Sequence, residues 1–191
     1  MKIFMLFLAL LVLSGCLADE APQLPSEALE GSKFDLMPAN WMHSEIRTNN
    51  DYRSEITYTR SFSSGTPRFA SAYVDLALYS NEEDASEAYR RFEDNVFYDR
   101  IGFGTTWYLP DQLIINSVHA DQYRVDCTEV DRNVETVTGC NFWAQYGRCN
   151  LLFVAHISPL DEQTYDTYSQ IIEENISAWI ETVDYCNYEG A

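Results

Sequence analysis

Residues 69–79 read FASAYVDLALY. Ala70, Ala72, Val74, Leu76 and Leu78 fall on one side of this run, and Phe69, Ser71, Tyr73, Asp75, Ala77 and Tyr79 on the other. Successive side chains of a strand point to opposite faces, so the run is a strand with an apolar inner side and a mixed outer side. Directly after it, Ser80 stands three residues before Glu83, the spacing of a capping box that opens a helix. Ala85, Ala88, Tyr89, Phe92 and Val96 then step by three or four, which carries that helix to about residue 97 before Gly102 and Gly104 end the unit.

Working outward, residues 54–62 alternate well enough for a strand, with Ile56, Tyr58 and Arg60 on one face. Ser63, Ser64, Gly65, Thr66 and Pro67 form the turn between the two strands. Residues 34–41, with Pro38 and Trp41, read as an opening strand or turn that plugs an end of the core. Residues 107–109 and 113–118 read as short strands split by Pro110 and Asp111, and residues 123–127, 141–146 and 151–157 as a three-strand meander. Ser158 followed by Pro159 caps the last helix. On it, Tyr165, Tyr168, Ile172, Ile176, Trp179 and Val183 make one apolar stripe facing the sheet.

Strands and helices do not alternate strictly, which argues against a parallel doubly wound sheet. The expectation is a single α+β domain, a mainly antiparallel sheet of about five to seven strands packed by two main helices and braced by two disulfides. The opening from Pro38 to Trp41, the strand-then-helix unit over residues 69–96 and a terminal helix after a meander bear a general resemblance to the PsbP/Mog1-like α-β-α sandwiches. That resemblance implies a fold and carries no residue-level function.

The N-terminus says where the chain resides. Lys2 precedes an eleven-residue stretch, 3–13, with no polar side chain. Such a stretch is too short to span roughly 30 Å of hydrocarbon, and it has the form of a signal-peptide core. Leu13, Ser14, Gly15 and Cys16 close it and resemble the lipobox of bacterial lipoproteins. The resemblance implies cleavage before Cys16 by signal peptidase II and a diacylglycerol thioether on its sulfur. Leu17 in place of an aspartate implies sorting to the outer membrane in a two-membrane host. Residues 1–15 are then the signal peptide, 16–32 the lipidated N-terminus and a solvated tether with Pro22, Pro25 and Gly31, and 33–191 the globular domain.

Charge narrows the partners. The chain carries 12 basic and 30 acidic side chains; loss of Lys2 leaves 11 against 30, or −19. A field of that sign disfavours nucleic acid and anionic headgroups, which need cationic patches, and permits a cationic partner. A solvated acidic surface is the plainer account.

Once Cys16 is taken, Cys127, Cys140, Cys149 and Cys186 remain. An even number in an exported chain reads as two disulfides, with three connectivities possible. A reversal near Asn133 and Val134 between strands at 121–130 and 136–146 sets Cys127 opposite Cys140. Cys149, in the turn Gly147, Arg148, Cys149, Asn150, is then left for Cys186, which follows the last helix. Spacings of 13, 9 and 37 lack the close C-x-x-C pair of a zinc site.

Catalytic patterns are absent from the sequence. His43, His119 and His156 form no ligand pair, and His156 sits in an apolar strand as a structural residue. No nucleophile elbow occurs, and Gly102, Phe103 and Gly104 lack the rest of a phosphate loop. Asp131, Asn133 and Glu135 are superficially similar to a calcium loop but lack its glycine and distal glutamate. Asn175, Ile176 and Ser177 form a glycosylation triplet inside a helix. Trp143, Tyr146 and Tyr108 would make an exposed aromatic patch if the second sheet face stayed uncovered.

These readings lead to a non-enzymatic envelope lipoprotein that needs no cofactor or metal. It is anchored to a membrane through Cys16, binds or assembles with a protein partner, and has no use for nucleic acid. The alternative is a binder of a small ligand or cation that uses a cleft at the sheet edge, and an enzyme comes third.

Overall fold

A computed structural model describes residues 34, 36–37, 39–64, 71–98, 106–116, 118–131, 136–157 and 162–186. Seven strands make one antiparallel sheet: β1 Met42–His43, β2 Arg47–Asn49, β3 Ile56–Ser63, β4 Ser71–Leu78, β5 Gln122–Asp131, β6 Thr136–Tyr146 and β7 Cys149–Ile157. Helix α1, Glu82–Val96, links β4 toward β5. Helix α2 runs Glu162–Gln170, continues through a π-helical segment Ile171–Ile176, and ends at Ser177–Glu181. Across the sheet the order is β1, β3, β4, β7, β6, β5, with β2 beside β1 on the same edge of β3.

Both sheet faces are covered. The apolar side of β4 is buried as its alternation requires, with Val74, Leu76 and Leu78 at 0% exposure. It joins Phe142, Ala144, Leu151 and Phe153 under α2. The α2 stripe is buried at all six positions from Tyr165 to Val183, and the π-helical segment widens it by adding Ile171. Phe34 packs its ring 4.7 Å from that of Trp179, so the opening segment plugs this side as a short turn.

Helix α1 lies on the opposite face, where Tyr89 stacks on Trp143 at 5.7 Å. Polar side chains of β6 and β7 tie the helix down by donating to its carbonyls: Asn141 Nδ2 to Val96, Trp143 Nε1 to Tyr89 and Asn150 Nδ2 to Ala85, at 2.8–3.1 Å. Coverage of both faces overturns the exposed aromatic patch: Trp143 is fully buried on the α1 side, and Tyr146, 4% exposed, belongs to the core under α2. Tyr108 alone of the three stays exposed.

Several local expectations also shift. The N-cap of α1 is Asn81, whose side chain accepts from the Asp84 N–H at 2.8 Å, while the Ser80 hydroxyl turns to Glu55. An amide oxygen caps as well as a hydroxyl, so the helix starts one residue later than the capping-box spacing implied. Residues 107–109 and 113–116 form no strand. Tyr108 makes one bridge to Cys127 on the outer edge of β5, and Leu113 buries as a loop residue. The turn after β6 is only Gly147 and Arg148; Cys149 and Asn150 already belong to β7. Residues 65–70, 132–135 and 158–161, which hold the turn glycine, the Asp131-to-Glu135 pattern's centre and the α2 cap, lie outside the described residues, as do 1–33.

Candidate functional site

On the α1 face, β4 places Asp75 between Tyr73 and Ala77 with only 6% of its surface exposed. Asp75 Oδ2 accepts from the Tyr52 hydroxyl at 2.7 Å, and Oδ1 accepts from Thr59 Oγ1 on β3 at 2.5 Å. Thr59 stands directly across from Asp75 in the β3–β4 register, so the sheet itself positions that donor. Among the described residues no arginine, lysine or histidine forms an ion pair with this carboxylate. Burial pushes its pKa above the ordinary 3.8, and the two hydrogen bonds, which favour the charged form, only partly oppose that.

Tyr52 reaches Asp75 from the 3-10 turn Asp51–Arg53. Its backbone is left-handed, φ 59° and ψ 17°, and Arg53 follows at φ 57°. Left-handed backbone at a residue with a Cβ costs of order 1–2 kcal/mol. The surrounding bonds enforce it: the Asp51 carbonyl accepts from Ser54 Oγ at 2.8 Å and Thr57 Oγ1 at 3.0 Å, and the Tyr52 carbonyl accepts from the Tyr79 hydroxyl at 3.0 Å. The Tyr52 ring sits 5.5 Å from both Phe92 and Trp143. Burial and the neighbouring Asp75 raise the Tyr52 hydroxyl far above an ordinary tyrosine, and burial raises Tyr73 to about 12, so both stay protonated donors.

Two clefts flank this ring. One, about 260 Å³, lies between the 51–53 turn, Tyr79 and the first turns of α1, where Asp84, Glu87 and Arg91 line it. The other, about 210 Å³, is walled by Tyr73, Phe92, Val96, Asn141 and Leu152. Tyr52 is common to both walls. The arrangement is two small hollows separated by one tyrosine that covers a buried carboxylate.

The residues singled out in the sequence lie elsewhere. Cys127 and Cys140 face each other across β5 and β6 and are bridged, with Cα atoms 4.0 Å apart. Cys149 is bridged to Cys186, tying the start of β7 to the segment beyond α2. Cys16 is outside the described residues. His43 Nδ1 meets Arg60 Nη2 at 2.6 Å on the β1 edge, and His156 lies on β7, three strands across the sheet, over Gly139. His119 is exposed ahead of β5. No group of three or more His, Cys, Asp or Glu among the described residues could hold a metal ion, and no described helix is long and apolar enough to cross a membrane.

Sequence reading passed over Tyr52, Thr59 and Asp75. The signal for Asp75 was present: a carboxylate inside YVDLALY is an ordinary solvated residue only if the outer face is wet. Once α1 covers that face, Asp75 is a buried charge that must find donors.

Fold and cysteine pairing together define a disulfide-braced α+β domain with a helix on each face of an antiparallel sheet. Such bridges form and persist in oxidising compartments, the cell envelope or outside the cell. No family model matches the chain, and no curated protein matches it in sequence. Its fold is similar to that of the extracellular domain of PknH from Mycobacterium tuberculosis, with a TM-score of 0.50 and 7% identity over 79% of this chain and 94% of that one. At that identity the likeness concerns fold.

Proposed function

We propose that this chain is a lipid-anchored envelope lipoprotein whose folded part is a non-enzymatic binding or assembly module. The observation that carries the reading is cysteine usage. Four of the five cysteines are consumed by Cys127–Cys140 and Cys149–Cys186, which leaves Cys16, at the end of the apolar leader, as the remaining thiol. Two or three acyl chains at that sulfur and its amine, at about 0.8 kcal/mol per buried methylene, make attachment stable where a single chain is marginal. The tether over residues 17–32 then holds the domain clear of the membrane, on the outer membrane in a two-membrane host.

Cys16→Ala tests this reading. The unaltered protein should begin at Cys16 with a diacylglycerol mass on it, and Cys16→Ala should lose both that mass and cleavage before residue 16; an unmodified Cys16 in the unaltered protein by mass spectrometry contradicts the reading.

A second reading, a binder of a small ligand or cation, draws on the two hollows that share Tyr52. Small-molecule sites are concave, mostly apolar and carry a few placed polar groups, which describes Phe92, Leu152 and Tyr73 around the Tyr52–Asp75 pair. Its site is the covered α1 face, where the sequence had placed a ligand cleft at the sheet edge.

A further inference from the structure

We infer that Tyr52 is a movable partition and that the groove it divides takes a small organic cation, an alkylammonium, against Asp75; the inference rests on the ligand-binding reading. Four observations converge on it. First, Asp75 is a carboxylate removed from water without a cationic partner among the described residues. An ionised carboxylate offers about four lone-pair positions, and Tyr52 and Thr59 occupy two. Capacity for a cation's N–H or for close electrostatic contact therefore remains.

Second, the walls of the smaller hollow are aromatic, while Glu55, Asp84 and Glu87 outnumber Arg53 and Arg91 around the larger one. Tyr52, Tyr73 and Phe92 are half-buried with ring surface turned to the hollows, and the negative face of an aromatic ring attracts an ammonium within about 6 Å of its centre. Trp143 backs Tyr52 at 5.5 Å. No three carboxylate, histidine or cysteine groups among the described residues converge to hold a metal ion, whereas an alkylammonium presents the apolar skin that Tyr73, Phe92 and Leu152 match.

Third, the partition is a strained element. Tyr52 and Arg53 both hold left-handed backbone, and the hydroxyl bond to Asp75 is the polar side-chain contact that holds the ring over the carboxylate, beside ring contacts to Phe92 and Trp143. Asp75 lines neither hollow as they stand, at 260 and 210 Å³; when the ring moves aside its hydroxyl leaves Asp75 Oδ2, and the hollows join into one groove that reaches the carboxylate, within the range of ordinary small-ligand sites. Fourth, a chain of this acidity concentrates cations at its surface.

The test uses the full chain, purified from membranes in a non-ionic detergent with both disulfides formed, and titrated by calorimetry with choline and its neutral carbon isostere, 3,3-dimethylbutanol. The expected result is saturable choline binding at least tenfold tighter than that of the isostere. Asp75→Asn weakens choline at least tenfold and leaves the isostere unchanged. Tyr52→Phe, which unlatches the partition, tightens choline; an unchanged or weakened affinity overturns the gating. Equal binding of the two probes overturns the cation chemistry while leaving a ligand groove in place. Absence of saturable binding by either probe overturns groove and cation alike. Should Asp75→Asn fail to fold by near-ultraviolet dichroism, the choline-to-isostere ratio in the unaltered chain and in Phe92→Leu decides, with a ratio near one in both counting against.

Discussion

The Tyr52 hydroxyl donates to Asp75 Oδ2 at 2.7 Å from a backbone turned to φ 59°. A left-handed residue thus supplies half the solvation of a carboxylate that β4 has carried out of water. The other half comes from Thr59, opposite it on β3. The pair costs the fold twice, in backbone strain and in desolvation, and both costs are open to measurement.

The first prediction concerns pH. Below the ordinary value of 3.8, Asp75 is protonated in folded and unfolded chains alike, and its burial is at its least unfavourable. Its folded pKa is raised, so as pH climbs from 3.8 the unfolded chain ionises first and stability falls. The loss is complete once pH passes the folded value. Asp75→Asn removes this slope, and its amide retains an acceptor and a donor for the two hydroxyls. Urea midpoints from pH 4 to 8 should show the variant gaining on the parent as pH rises; parallel curves contradict the assignment.

Strain in the 51–53 turn gives the second. Arg53 is exposed at φ 57°, where glycine removes the left-handed penalty but adds about 0.5–1 kcal/mol of unfolded-state entropy. Arg53→Gly is therefore expected to be neutral or stabilising by up to about 1 kcal/mol. Arg53→Val, β-branched at the same backbone, costs about 1–2 kcal/mol. Thermal unfolding of the two variants reads the sign directly.

The bridges give the third. They close loops of 13 and 37 residues, so the chain-entropy account assigns about 3 kcal/mol to Cys127–Cys140 and about 4 kcal/mol to Cys149–Cys186. Paired serine replacements followed by urea unfolding should rank them in that order. The larger effect should come with loss of protection in residues 182–186, whose backbone the second bridge pins against Arg148, the Arg148 N–H donating to the Cys186 carbonyl at 3.2 Å.

Both bridges were legible in the sequence because an antiparallel register is a counting problem. Reversal near residue 133 fixes Cys127 opposite Cys140, and only one pairing is then left. The strand at β4 and the α2 stripe were legible for the same reason, being periodic over many residues. The Tyr52–Asp75 pair was not, because it depends on which side of the sheet α1 covers, and a mixed outer face has no periodicity to announce a lid. Residues 107–116 misled because Trp107, Leu109, Leu113 and Ile115 have strand-like composition, yet only Tyr108 finds a partner strand with a free edge. The left-handed turn at Tyr52 left no trace, since neither it nor Arg53 is glycine or asparagine.

Gly147 gives the last prediction, and it joins turn geometry to the second bridge. Its φ is +52°, and a Cβ there would lie 2.0 Å from the carbonyl oxygen of Cys186, an atom that cannot swing away as a side chain could. The Gly147 N–H also donates to Asp121 Oδ2 at 2.6 Å, which holds the turn where it is. Gly147→Ala should cost about 1 kcal/mol for the backbone and, with the clash, about 3 kcal/mol or more in all. Much of that cost exists because Cys149 anchors Cys186 against the turn. In a chain already carrying Cys149→Ser and Cys186→Ser, the C-terminal segment is free to retreat and the same alanine should cost markedly less. A coupling of at least about 1 kcal/mol in this double-mutant cycle is expected; simple additivity would mean that the turn is strained by its own backbone and owes nothing to the bridge.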